Sequence, residues 1–343
     1  MKTKAQLVLA AALMMTASGA GMAAAPTATE QLWLEMINRF RAQPQAELDL
    51  LTNYVTPGTG TVFAASSSSD PGVRLAISFF GVNASVLRTQ FNALSAAPPL
   101  AWNSNLHNAA SLHTDAMIAA DSQSHQLPGE PGLGQRLTNA GYAYTTANEN
   151  IYGFTDNVFH GHAGFLIDWG NAPNGIQNPP GHRNALINSN LREIGISVKE
   201  SDGPDLGPLV VTQDLGRRSG NAFLTGVAFT DAVVGDDFYS IGEGLGSMTV
   251  NVFDSARAQV LASTTTYESG GYALALAVGT YDVQFSGSGF DFFVDNYAFT
   301  TGNNQKLDFV ATQVPEPTAA ALMLCGIAVC IALGRRSRER VDA

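Results

Sequence analysis

Apolar residues recur at helical spacing over residues 27–51, where Leu32, Met36, Ile37 and Phe40 alternate with Glu35, Asn38 and Arg39. That pattern predicts an amphipathic helix, which Pro44 bends or breaks unless it opens a new helical turn. Residues 52–75 are rich in Gly, Ser, Thr and Pro and read as a surface loop. A helix is expected over 73–94, with Phe79, Phe80, Val86, Leu87 and Phe91 for the core. The next, over 104–120, aligns Leu106, Ala109, Ala110, His113 and Met117 on one stripe and leaves His107 in solvent. A short helix near 133–140, a strand from 148, a helix over 158–169 and strands at 193–198 and 209–216 follow. From residue 221 the period changes. Short strands are expected at 224–229, 248–253, 260–265, 272–277, 281–285 and 306–310, separated by Gly, Asp and Ser clusters. Such spacing predicts an antiparallel β-sandwich of immunoglobulin-like type.

The two ends read as addresses. Lys2 and Lys4, the apolar run Leu7 to Met15 and small residues up to Ala25 form a secretory leader over 1–25, cut near Ala23. At the other end Pro315-Glu316-Pro317 precedes an apolar span over 318–334, then Arg335, Arg336, Arg338 and Arg340. This order, over 314–343, resembles the PEP-CTERM sorting signal of exopolysaccharide-producing Gram-negative bacteria. The resemblance implies an inner-membrane tail, recognition by an exosortase, and delivery to the cell surface, outer membrane or extracellular polysaccharide matrix. A permanent membrane tail is the plainer alternative.

Charge narrows the partners. Removing both ends leaves 12 basic and 27 acidic residues, a body that repels nucleic acid and anionic headgroups. The only two cysteines, Cys325 and Cys330, lie in the C-terminal span, so no disulfide can staple the body.

Candidate chemistry centres on Gly181-His182-Arg183, which follows a Pro179-Pro180 turn. His125 and Glu149 are its expected partners. Two imidazoles and a carboxylate suit acid/base work, or three ligands to a zinc-like divalent metal. His160 and His162 would share one face of a strand but diverge on a helix, so they are discounted. No His-Glu-x-x-His helix, Gly-x-Ser-x-Gly elbow or cysteine nucleophile is present in the body. Asp231, Asp236, Asp237 and Glu243 surround two glycines and could ligate calcium, but Val233 breaks an EF-hand register. A solvated acidic turn is the competing reading.

Several short pieces occur in one order: Leu100-Ala101-Trp102, His113 with Met117, Ser124-His125, Glu149-Asn150-Ile151, Trp169, Gly181-His182-Arg183, Ile194-Gly195-Ile196 and Thr212-Gln213-Asp214. Together they resemble the CAP superfamily of cysteine-rich secretory, antigen five and pathogenesis-related proteins, in its bacterial form. The resemblance implies an α+β chain: a three-layer α-β-α sandwich over 26–218 followed by an all-β immunoglobulin-like sandwich over 222–312. The second unit resembles carboxypeptidase-regulatory-like surface modules, with a spacer or stalk role. In that family two histidines and two acids face a cleft, and His125, Glu149 and His182 match three of them. Ala172 stands where the fourth, a Glu, is usual, and Asp168 is not read as its replacement. Three functions stay open. The cleft could bind a small apolar, glycan or peptide ligand, with or without metal. It could hydrolyse wall or matrix polymers by metal-assisted or general acid/base chemistry. Or the cluster could only pin loops.

Overall fold

A computed structural model describes residues 24–52, 70–220 and 222–311. The leader, the Pro315-Glu316-Pro317 motif and the 318–334 span lie outside them, apart from the last leader residues. Among the described residues no helix is long and apolar enough to cross a membrane.

Thr27 caps the first helix, α1 (Ala28–Ala42), in a reciprocal box. Its hydroxyl accepts from the Glu30 N–H, and the Glu30 carboxylate accepts from the Thr27 N–H at 2.9 Å. Pro44 then opens a separate helix, α2 (Pro44–Thr52), at its first position, where no N–H is needed. The expected loop ends early, because Asp70 accepts from the Val73 N–H at 3.0 Å and caps α3 (Pro71–Phe80). The single helix expected over 73–94 is two. Gly81 takes φ +65°, which ends α3, and Asn83 caps α4 (Ala84–Asn92).

The central elements follow as β1 (Ala101–Trp102), α5 (Ser104–Ala120), α6 (Leu133–Asn139), β2 (Thr146–Thr155), α7 (Val158–Ala163), a π-helical turn Gly164–Asp168, α8 (Gly181–Ile187), β3 (Glu193–Glu200) and β4 (Leu209–Arg217). The sheet runs β1-β3-β4-β2, parallel between β1 and β3 and antiparallel elsewhere, so β2 is an edge strand. Helix α5 covers one face; α1, α7 and α8 cover the other, giving three layers. Trp33, Ile37, Phe40, Phe91, Phe165 and Ile194 form the larger core on the second face. On the first face a Cβ at Gly195 would sit 1.9 Å from the His107 backbone nitrogen. Only glycine lets α5 lie that close. His107 is accordingly not solvated: its Nδ1 meets the Ile196 carbonyl at 2.7 Å, and its ring packs 5.1 Å from that of Trp102.

The second half contains β5 (Ala222–Thr230), β6 (Thr249–Phe253), β7 (Val260–Thr265), β8 (Gly271–Leu276), β9 (Gly279–Gly287), β10 (Phe290–Phe299), β11 (Gln305–Lys306) and β12 (Phe309–Ala311). One sheet is antiparallel in the order β10-β9-β6-β7; in the other, β5 pairs with β8, β11 and β12. Leu224, Val250, Val283, Phe285 and Phe299 form one core from both. Three expectations change here. Strand β10 was not foreseen. The single strand expected over 306–310 is two short ones. Both of those run parallel to β5, not antiparallel.

The halves are joined through α1. Lys306 Nζ lies 2.8 Å from Glu35 Oε2 and also pairs with Asp308. Burial opposes the ammonium charge, but Glu35 and Asp308 outweigh it and push the Lys306 pKa up to about 12. Arg39 stacks over the Phe238 ring at 4.1 Å, and Leu32 packs against Val227, Phe229 and Tyr239.

Candidate functional site

Side chains alternate across a strand, so neighbours on β2 serve different layers. Glu149 stands opposite Asp214 of β4, on the face covered by α5. Asn150 and Tyr152 turn to the other face, where Asn150 Nδ2 donates to the His182 carbonyl and Tyr152 packs on Phe165.

On the α5 face a charged cluster surrounds Glu149. His125 Nδ1 lies 2.9 Å from Glu149 Oε1, and Arg136 of α6 pairs with Oε2. Arg136 also donates to the His125 carbonyl at 3.0 Å, fixing the loop that carries this histidine. His113 of α5 places Nδ1 2.7 Å from Glu130 Oε1 and Nε2 3.9 Å from Glu149 Oε2. Burial drives the Glu149 carboxyl pKa upward. The His125 hydrogen bond and the fields of His113 and Arg136 together outweigh burial and hold it below the ordinary value. Asp214 is the reverse case. It is fully buried, and burial together with the charge of the facing Glu149 carboxylate holds its pKa well above the ordinary value.

His182 sits in the first turn of α8 and has a different partner. Its Nδ1 lies 2.8 Å from Asp168 Oδ1, while Asp168 Oδ2 accepts its backbone N–H at 3.0 Å. Asp168 ends the π turn with φ +59° and is wholly buried. A non-glycine residue in that region is uncommon and marks a place the surrounding fold holds in shape. Asp168 therefore orients the ring as well as capping the helix.

Of the three predicted residues, the structure brings His125 and Glu149 together. His182 makes no hydrogen bond or ion pair with either; it reaches the edge of β2 from the opposite layer. Asp168, set aside in the sequence, is its partner. Asp214, Glu130 and the Arg136 ion pair were also missed. His160 and His162 diverge as expected: His160 stacks on Trp169 at 5.4 Å, and His162 Nε2 meets Glu47 at 2.9 Å.

His182 lines a cavity of about 540 Å³ between α3, β2 and the π turn. Leu75, Phe79, Tyr152, Phe154 and Trp169 are among the residues of its wall; Gln123, Asp156, His160 and Gln177 add polar points. His125 and Glu149 do not line it. Burial holds the His160 pKa below the ordinary imidazole value, so its ring is neutral near pH 7.

The donor sets do not fit the expected ions. No group of three or more His, Cys, Asp or Glu side chains among the described residues is arranged to hold a metal. Glu149 is already neutralised by Arg136, which would repel a divalent cation. In the acidic loop, Glu243 is buried and accepts the N–H groups of Val233, Val234 and Ser240. Asp231 accepts those of Asp236 and Asp237. These carboxylates hold their own turn together.

A three-layer α-β-α unit with an edge-strand histidine site, followed by a β-rich half, defines the class. The family model for the cysteine-rich secretory protein family, CAP, matches residues 34–215, and the chain belongs to that family. Among solved structures, an extracellular protein containing an SCP domain from Bacillus anthracis is 23% identical, with a TM-score of 0.29. The alignment covers 42% of this chain and 39% of that one, so the chain spans well under half of that protein's length. An outer surface protein from Borrelia burgdorferi is 17% identical over 43% of this chain and 93% of its own, with a TM-score of 0.29. No curated protein matches the chain.

Proposed function

We propose that the CAP unit binds a small apolar ligand in the cavity between α3 and β2. The observation that carries this is the exposure of the wall. Phe79 is 75% exposed, Leu75 70% and Phe154 50%, all beside one cavity. Large apolar side chains gathered at a concave site are characteristic of ligand pockets. The apolar lining favours an aliphatic or aromatic body over a glycan or an extended peptide. Gln123, Gln177 and His182 would orient a polar end. Export and surface sorting are part of this reading, supported by the leader and by the Pro315-Glu316-Pro317 tail with its exosortase partner.

The test is a titration with Nile red and with a long-chain fatty acid. Phe79→Asp should weaken both by about tenfold or more, as loss of one buried aromatic contact would. The melting temperature should not move, because Phe79 is exposed. Absence of saturable binding by the unaltered chain overturns the reading.

A second reading has one specific support. Asp168 holds His182 through Nδ1 and leaves Nε2 free, the arrangement of a general base. Turnover of ester or wall-polymer substrates, abolished in His182→Ala, would favour a hydrolase.

A further inference from the structure

The body is acidic, yet three arginines converge on a second crevice, of about 430 Å³, where the two halves meet. Arg192 precedes β3, Arg217 ends β4 and Arg218 follows it. The facing wall comes from the second half and includes Leu276, Val278 and Phe299.

Among the described residues only one of the three, Arg218, sits in an ion pair. Arg218 forks onto Glu193, with Nε–Oε2 and Nη2–Oε1 both at 3.0 Å. Asn103 at 2.7 Å and the Tyr142 hydroxyl at 2.9 Å take further acceptor positions on the same carboxylate. Arg192 Nη2 donates to the Gly302 carbonyl at 2.6 Å, but its Nε is buried without a partner. The Arg217 guanidinium makes no ion pair or hydrogen bond among the described residues. Burial, and then the neighbouring Arg217 charge, hold the Arg192 pKa below the ordinary guanidinium value. Glu193, already forked by Arg218, only partly offsets this, so two like charges share the cleft with no carboxylate in an ion pair with either among the described residues.

We propose that this crevice binds an oxyanion, carboxylate or phosphate, carried on a ring of monosaccharide size. Guanidinium forks match the planar geometry of such groups and can hold them through paired hydrogen bonds. The volume is several times that of a bare anion and falls in the small-ligand range. The Leu276, Val278 and Phe299 wall gives an apolar ring face somewhere to lie. The bound anion would relieve the Arg192–Arg217 repulsion and touch both halves at once.

The experiment titrates the full chain with glucuronate, glucose 6-phosphate, inorganic phosphate and glucose by calorimetry, at low and at raised salt. Binding of glucuronate or glucose 6-phosphate, weakened by salt and absent for glucose, is the expected result. Glucuronate alone identifies a sugar acid; glucose 6-phosphate alone identifies a phosphorylated sugar. Arg217→Gln should weaken the binding about tenfold or more, as loss of a charge-assisted contact does. Its melting temperature should not fall, because the Arg217 guanidinium holds no described residue in place and its loss relieves the repulsion with Arg192. Phe79→Asp should leave this binding unchanged. Failure of both sugar anions to bind, or undiminished binding by Arg217→Gln, overturns the proposal.

Discussion

His182 and Asp168 are fourteen residues apart in the chain and joined twice in space, ring nitrogen to one carboxylate oxygen and backbone N–H to the other. The pair ties the π turn to the start of α8. Asp168→Ala should therefore cost about 1–3 kcal/mol, because it leaves a half-buried ring nitrogen and a helix-start amide unsatisfied. Asp168→Asn keeps the acceptor for the backbone and should cost less. Urea unfolding of both variants checks the order.

Glu149 and His125 should respond very unequally to truncation. Arg136 is only 6% exposed at its side chain. Glu149→Gln removes its nearer carboxylate and leaves only Glu130 at 3.5 Å, so it should destabilise by about 2 kcal/mol. The His125 side chain is 60% exposed, so His125→Ala should cost less than about 1 kcal/mol. Thermal melts at neutral pH compare the two.

Asp214 should make the fold lose stability as pH rises from 3.8. A carboxyl held protonated by the fold contributes fully below its ordinary value of 3.8 and loses that contribution as pH rises toward the folded value. Asp214→Asn cannot ionise. It should equal or exceed the parent in stability at pH 7 and lack this part of the pH dependence. Melting temperature against pH for both proteins decides it.

Acid should act first through His162. Burial holds its pKa below the ordinary 6.5 despite the Glu47 hydrogen bond, so the ring folds neutral. A lowered imidazole contributes fully above 6.5 and loses stability as pH falls from there toward the folded value. His160 adds in the same direction. His162→Gln can still donate to Glu47 and does not titrate. It should flatten the part of the decline just below pH 6.5, and denaturant midpoints through that range test this.

Much of the first half was legible because its signals are local. The Ser104–Ala120 stripe and Pro44 at a helix start depend only on neighbouring residues. The break at Gly81 and the cap at Asn83 were also written locally, but a continuous apolar pattern masked them. Strand β10 was hidden for another reason. A bulge between Val294 and Tyr297, with Asn296 at φ +53°, shifts the period-two alternation midway. The site was legible in its residue types and not in its pairing. His125 meets Glu149 because Arg136, on the next helix, pins its loop. His182 meets Asp168 because a π turn, which has no simple sequence period, rotates that carboxylate inward.

The Glu35–Lys306 contact makes the junction a weld, not a swivel. Prising the β-rich half away would part this ion pair and, with it, the Arg39–Phe238 and Leu32 contacts. Tension applied at the far end of the sandwich would thus travel straight into α1 and the main core beneath it.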